Sequence, residues 1–164
     1  MSINLEQFHQ TFFEESFEGL DSMESGLLNL QAGGMDADTI NTIFRAAHSI
    51  KGGSGTFGFG DVAKFTHVLE TLLNEMRDGS RAVTPDGVNL MLESVDTLRE
   101  MLGAVRSKAA VNSARVNDVQ GRLEVMLANG QSGVGSQETK SAAADSRLPT
   151  PDSQCWKIRF RPQP

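Results

Sequence analysis

The chain predicts an all-α fold, an antiparallel four-helix bundle with an additional C-terminal helix. Three observations carry that expectation. Every periodic stretch up to residue 130 repeats its apolar residues at helical spacing, the stretches are joined by short connections marked by Gly, Pro and Asp, and the apolar residues are chiefly Leu, Met, Val and Phe with no tyrosine. Long amphipathic helices on short links bury their apolar stripes against one another, and short links make consecutive helices antiparallel neighbours.

Leu5, Phe8, Phe12, Leu20, Met23, Leu27 and Leu30 define a long first helix that ends before Gly33-Gly34. Asp36 or Asp38 can cap a second helix whose seam is Ile40, Ile43, Phe44, Ala47 and Ile50, continuing toward Phe57. Gly58 and Gly60 punctuate the chain, and Asp61 can open a third helix with Val62, Phe65, Leu69, Leu72 and Met76 on one face, closing at Asp78-Gly79. Thr84-Pro85 pairs a capping hydroxyl with proline at the first helical position, and starts a fourth helix along Val88, Met91, Leu92, Val95, Leu98, Leu102 and Val105. Ser113 precedes a shorter fifth helix through Val116, Val119, Leu123 and Met126, which stops at Asn129-Gly130 and packs alongside the bundle.

Residues 1–130 thus form one helical domain. Residues 131–154, rich in Ser, Gly, Ala, Thr, Pro and Asp without a period, have the composition of a flexible linker. In residues 155–164, Trp156, Ile158 and Phe160 alternate with Lys157, Arg159 and Arg161, the signature of a truncated first strand of a following domain.

Composition excludes several classes of function. Residues 1–44 carry eight acidic side chains and no Lys or Arg, a distribution that repels a phosphate backbone and argues against nucleic acid as partner. No run of about 18 apolar residues and no secretory leader pattern is present, so a cytoplasmic protein without membrane contact is expected. The single Cys155 has no internal partner for a disulfide.

The chemistry concentrates around His48, inside Arg45-Ala46-Ala47-His48-Ser49-Ile50-Lys51-Gly52-Gly53-Ser54-Gly55-Thr56-Phe57-Gly58-Phe59. On a helix of 100° per residue, His48 lies about 90° from the centre of the apolar seam, at its solvent flank. Gly52 and Gly55, at i+4 and i+7, fall on nearly the same face, although each helical glycine costs about 1 kcal/mol relative to alanine. That cost clears a landing surface beside the ring for a bulky partner. Lys51, at i+3, places an ammonium within reach of a phosphoryl oxygen on the imidazole. On the third helix, Lys64, His67, Glu70, Thr71 and Asn74 form a polar stripe. In an antiparallel hairpin, part of it meets the His48 side, where the Glu70 carboxylate can accept from one ring nitrogen and turn the other's lone pair outward. His9, without special neighbours in the sequence, reads as structural.

Two other motifs compete. Gly53-Ser54-Gly55-Thr56-Phe57-Gly58 matches G-x-G-x-x-G, with Asp78 about 20 residues on, yet a dinucleotide fingerprint needs a preceding strand and the preceding pattern is helical. Two histidines and a glutamate on neighbouring helices offer a zinc alternative, but without an i,i+4 His pair or H-E-x-x-H. No nucleotide-binding loop of the P-loop or kinase type is present.

Ala47-His48-Ser49-Ile50-Lys51-Gly52-Gly53 followed by Gly55-Thr56-Phe57-Gly58-Phe59, with Phe44-Arg45-Ala46 upstream, closely resembles the signature of the N-terminal histidine-phosphotransfer (HPt) domains of the CheA chemotaxis kinases. The similarity runs from residue 1 to about 128, including the Phe8 to Phe13 region and the His67-to-Glu70 segment. It implies that His48 is the phosphoacceptor, with Lys51, His67 and Glu70 as its supporting network. It also implies a donor ATP, with Mg, bound by a separate kinase catalytic domain of a dimeric parent. The onward acceptors would be response regulators of the CheY/CheB type in a two-component chemotaxis phosphorelay. The segment itself holds no cofactor in this reading and is a substrate domain of an ATP-dependent protein histidine kinase; because the family's dimerisation is attributed elsewhere, a monomeric fragment is expected. The alternative is a non-catalytic helical docking module that engages partners through its acidic first helix.

Overall fold

The computed structural model describes residues 5–34 and 36–131 and contains five helices, α1 (Leu5–Gln31), α2 (Ala37–Thr56), α3 (Gly60–Arg77), α4 (Pro85–Ser107) and α5 (Ser113–Gln131), with no strand among the described residues. The expected linker at 131–154 and strand at 155–164, Cys155 included, lie outside the described residues but for the backbone of Gln131.

Neighbours run α1, α2, α3, α4 and back to α1, the closed square of a four-helix bundle, and α5 packs on α3 and α4. Consecutive helices, and α1 with α4, pair antiparallel, whereas α5 runs parallel to α3. Gly19 faces Ala46 and Ile50 while Gly26 faces Ile43, so numbers fall along α2 as they rise along α1. Arg99 on α4 pairs with Asp21 (2.7 Å) and Glu24 (2.9 Å) of α1, and Gln31 donates to Asn89 (2.6 Å). Arg122 and Arg115 of α5 pair with Glu93 and Glu100 of α4 in the same reversed order.

Leu20, Met23, Leu27, Ile43, Ile50, Phe65, Leu69, Leu72, Met91 and Leu98 fill the core, joined by Val119 and Leu123 from α5. Each such side chain contributes about 1.5–3 kcal/mol by leaving water. Phe8, expected on the apolar stripe, is instead 55% exposed. One turn further on, Phe12 and Phe13 take the buried positions, Phe12 packing tilted against Phe57 and Phe13 stacking on Phe59 of the α2–α3 connection. His9 sits edge-on against Phe57, with ring centroids 4.9 Å apart, as part of this aromatic cluster.

The helix starts follow local chemistry, with two differences from the sequence expectation. Asp36 caps α2 by accepting from the Asp38 N–H (3.2 Å), and Thr84 caps α4 by accepting from Gly87 (3.1 Å). At α3, however, the cap is Phe59 with no side-chain hydrogen bond, and Asp61 lies within the first turn. The chain reverses at Gly58, whose φ of +80° suits glycine, while the Phe59 N–H bonds back to Ser54 O (2.8 Å). Packing of the Phe59 ring sets the start of the helix, and Asp61 serves only as a favourable charge near its positive end.

At α5, Asn112 rather than Ser113 supplies the capping oxygen, accepting from Arg115 N at 3.3 Å. The helix runs through Asn129-Gly130, so its 19 residues exceed the 18 of α3. Arg81 explains this, for its guanidinium donates to Leu127 O (3.2 Å) and packs where a Cβ at position 130 would lie. Gly130 makes room for that arginine and does not end the helix.

Candidate functional site

His48 projects from the middle of α2 with 63% of its side chain exposed, and the antiparallel α2–α3 pair sets Glu70 opposite it. Nδ1 of His48 lies 2.6 Å from Glu70 Oε1. Lys51, one turn along α2, brings Nζ to 2.5 Å from Glu70 Oε2, a direct ion-pair contact rather than an aligned hydrogen bond. Glu70 is the buried member of the trio, with a side chain only 10% exposed.

Burial by itself raises the Glu70 carboxyl pKa, but the close contacts and positive charges of Lys51 and His48 outweigh it and hold the group below its ordinary value. The carboxylate is therefore ionised at neutral pH and can only accept hydrogen bonds. His48 must donate through Nδ1–H. In the neutral imidazole the lone pair then belongs to Nε2, on an exposed ring.

Gly52 and Gly55 are exposed, and a Cβ at either would meet nothing within 4 Å. Gly53 differs, since a Cβ there would run into the Phe12 ring. Of the three glycines beyond His48, only the middle one answers to the packing of the bundle.

His67 stands exposed on α3, one turn before Glu70, and its ring makes no hydrogen bond or ion pair among the described residues. Geometry thus joins His48, Lys51 and Glu70 by direct contacts and leaves His67 beside them. Sequence reasoning missed two neighbours. Phe44, assigned to the buried seam, is half-buried and stacks near the His48 ring, with centroids 6.1 Å apart and planes 21° apart. Arg77, from the last turn of α3, lies 3.9 Å above the Phe44 ring centroid. The i,i+4 spacing of Phe44 and His48 was the available signal for the first of these.

The Gly53-to-Gly58 run lies at the C-terminal end of α2, after a helix, a context unlike a dinucleotide loop. Among the described residues, no three His, Cys, Asp or Glu side chains gather into a metal-ligating group. His48 lines neither the cleft walled by Met101, Val105 and Val116 nor the groove along Asn89, Gly121 and Val125. It presents itself on open helix surface, where a macromolecule rather than an enclosed small molecule can reach it.

Known proteins resemble this chain in sequence and in fold. The Hpt domain profile matches residues 7–108. The chain is 46% identical over 114 residues to the chemotaxis protein CheA of Salmonella typhimurium, covering 70% of this chain and 17% of that protein. It is 40% identical over 144 residues to CheA of Rhizobium meliloti, covering 88% of this chain and 18% of that protein. The chain therefore spans less than a fifth of the length of these relatives. The phosphorylated P1 domain of CheA3 from R. sphaeroides, solved in complex with CheY6, matches with a TM-score of 0.69 at 29% identity over 75% of this chain and 97% of that one. The solution structure of the histidine phosphotransfer domain of CheA matches in fold, with a TM-score of 0.65 at 24% identity over 88% of this chain and 98% of that one. The chain belongs to the Hpt domain family, and its relatives are CheA chemotaxis proteins.

Proposed function

We propose that this chain is the phosphotransfer module of a chemotaxis sensor kinase, with His48 as the phosphoacceptor. The observation that carries this reading is the exposed imidazole whose Nδ1 is committed to a buried carboxylate, 2.6 Å away. That bond fixes the tautomer in which Nε2 is the nucleophile. The Nε2 lone pair attacks the γ-phosphorus of ATP, an N–P bond forms, the bridging P–O bond breaks, and ADP leaves with the electron pair. The ring becomes positively charged as it attacks, and the Glu70 carboxylate stabilises that charge. Lys51 offsets charge on the phosphoryl oxygens, and His67 completes the polar rim of the site. In the second half-reaction, a regulator aspartate oxygen attacks phosphorus, the N–P bond breaks, and the neutral imidazole returns.

Phosphoryl transfer asks chiefly for alignment and charge compensation, both of which a side chain mounted mid-helix in a bundle can supply. ATP and Mg would be held by a separate kinase catalytic domain of a dimeric parent, this part of the chain remaining monomeric. Response regulators of the CheY or CheB type would dock over Gly52 and Gly55; the complex of the CheA3 P1 domain with CheY6 supports that class of partner. The working compartment would be the cytoplasm, in keeping with the absence of any helix long and apolar enough to cross a membrane among the described residues.

The test is incubation with a CheA-type kinase domain and ATP labelled at the γ-phosphate. Wild type is expected to take up acid-labile, alkali-stable label and His48→Gln none. Equal labelling of the two rejects the assignment, and no label in either favours a docking module without chemistry.

A further inference from the structure

Glu70 fixes one atom of the His48 ring, and one hydrogen bond does not fix a plane. The second side-chain torsion of histidine, between tetrahedral and trigonal carbons, has a broad energy profile, so the ring can rock about the Nδ1–Oε1 line while that bond survives. In-line attack needs the Nε2 lone pair, which lies in the ring plane, to point at phosphorus. Something else must hold the plane.

Phe44 is placed to do so. It precedes His48 by four residues on α2, and its ring lies 21° from parallel to the imidazole with centroids 6.1 Å apart, within the range of aromatic pairs. Phe44 is only half-buried, so packing alone does not lock it. A cation from the neighbouring helix does, since the Arg77 guanidinium carbon sits 3.9 Å above the Phe44 centroid. Arg77 is itself restrained, for its Nη2 donates to Asn74 Oδ1 at 2.7 Å. Asn74, Arg77, Phe44 and His48 thus form a chain of contacts that crosses from α3 to α2 and ends on the reactive ring.

We propose that Phe44 and Arg77 are positioning residues for His48, a cation-on-aromatic clamp that sets the plane of the imidazole while Glu70 sets its tautomer. The kinetic part of this proposal rests on the phosphoacceptor reading; the spectroscopic part stands without it.

The test uses the whole chain and four variants, Phe44→Leu, Phe44→Tyr, Arg77→Gln and Arg77→Lys. Two quantities are measured: the chemical shifts of the His48 ring protons, displaced by the ring current of a stacked Phe44, and the rate of phosphate uptake from a CheA-type kinase domain with ATP. Phe44→Leu should remove the displacement and slow uptake about tenfold, the cost of a partly lost alignment. Arg77→Gln, at an exposed position that leaves the core untouched, should reduce the displacement and slow uptake about threefold. Tyr at 44 and Lys at 77 keep the stacking face and the cation, and should restore both readouts. Uptake within twofold of wild type for folded Phe44→Leu and Arg77→Gln overturns the clamp, as does a loss that Tyr and Lys fail to rescue. Should Phe44→Leu not fold, the Arg77 pair decides alone. If wild type takes up no phosphate, the phosphoacceptor reading fails, and the ring shifts still judge the clamp: undisplaced His48 protons in wild type overturn it, and displacement lost in Arg77→Gln upholds it.

Discussion

A carboxylate that is nearly buried and held by two partners makes Glu70 the residue on which the site's electrostatics turn. Its folded pKa lies below the ordinary 4.5, so the unfolded state binds its proton first on acidification. The stability that Glu70 contributes is complete above about pH 4.5 and disappears as pH falls through the lowered folded value. Acid denaturation followed by circular dichroism is expected to show a steeper loss below pH 4.5 in wild type than in Glu70→Gln; parallel curves would mean that the contacts with Lys51 and His48 carry no net stability. In function, Glu70→Ala should slow phosphate uptake about tenfold or more while leaving helicity unchanged, because the ring loses its tautomer and its charge partner together. A single-turnover uptake rate equal to wild type would reduce the contact to surface decoration.

At the scale of the element, the end of α2 separates stability from function. Gly52 and Gly55 face open space, so Gly52→Ala and Gly55→Ala should each stabilise the helix by about 0.5–1 kcal/mol, the ordinary gain on replacing helical glycine. The same added methyl groups stand on the surface proposed for regulator docking, and phosphate transfer to a CheY-type regulator should slow. Gly53→Ala should do the opposite to stability, costing about 1–3 kcal/mol as the Phe12 ring is displaced. Urea unfolding of the three variants, paired with transfer kinetics, checks the pattern; stability losses at 52 and 55 would show that those glycines serve the fold after all. Helix limits set by backbone signals, such as Gly33-Gly34 and Thr84-Pro85, were legible in the sequence because capping and glycine turns are local. The start of α3 was not, because the Phe59 ring decides it by packing on Phe13 from α1. The end of α5 was not legible either, because a distant arginine, Arg81, occupies the space beside Gly130.

Across the whole molecule, short links and helical periods were enough to dictate an antiparallel bundle, and that arrangement brought Glu70 to His48 from an i,i+3 stripe alone. The Phe44–Arg77 contact depends on the rotation of α2 against α3, which periodicity leaves undefined, and so it emerged only from the structure. The core that mounts His48 is built from residues between Phe12 and Leu123. We propose that the helical unit folds by itself, the segments 131–154 and 155–164 acting as linker and start of a further domain. A chain ending at Gln131 should then melt within about 2 °C of the full chain, inside the shift of about 4 °C that 1 kcal/mol gives a domain of this size. The central claim, that Glu70 holds Nδ1 and frees Nε2 to accept phosphate, is open to one direct measurement, a phosphorus–proton NMR correlation on the phosphorylated chain. Nε2 is bonded to two carbons that carry hydrogen, Cδ2 and Cε1, whereas Nδ1 has only Cε1. The phosphorus signal should correlate with both His48 ring protons; correlation with Hε1 alone, or with a residue other than His48, would contradict the account.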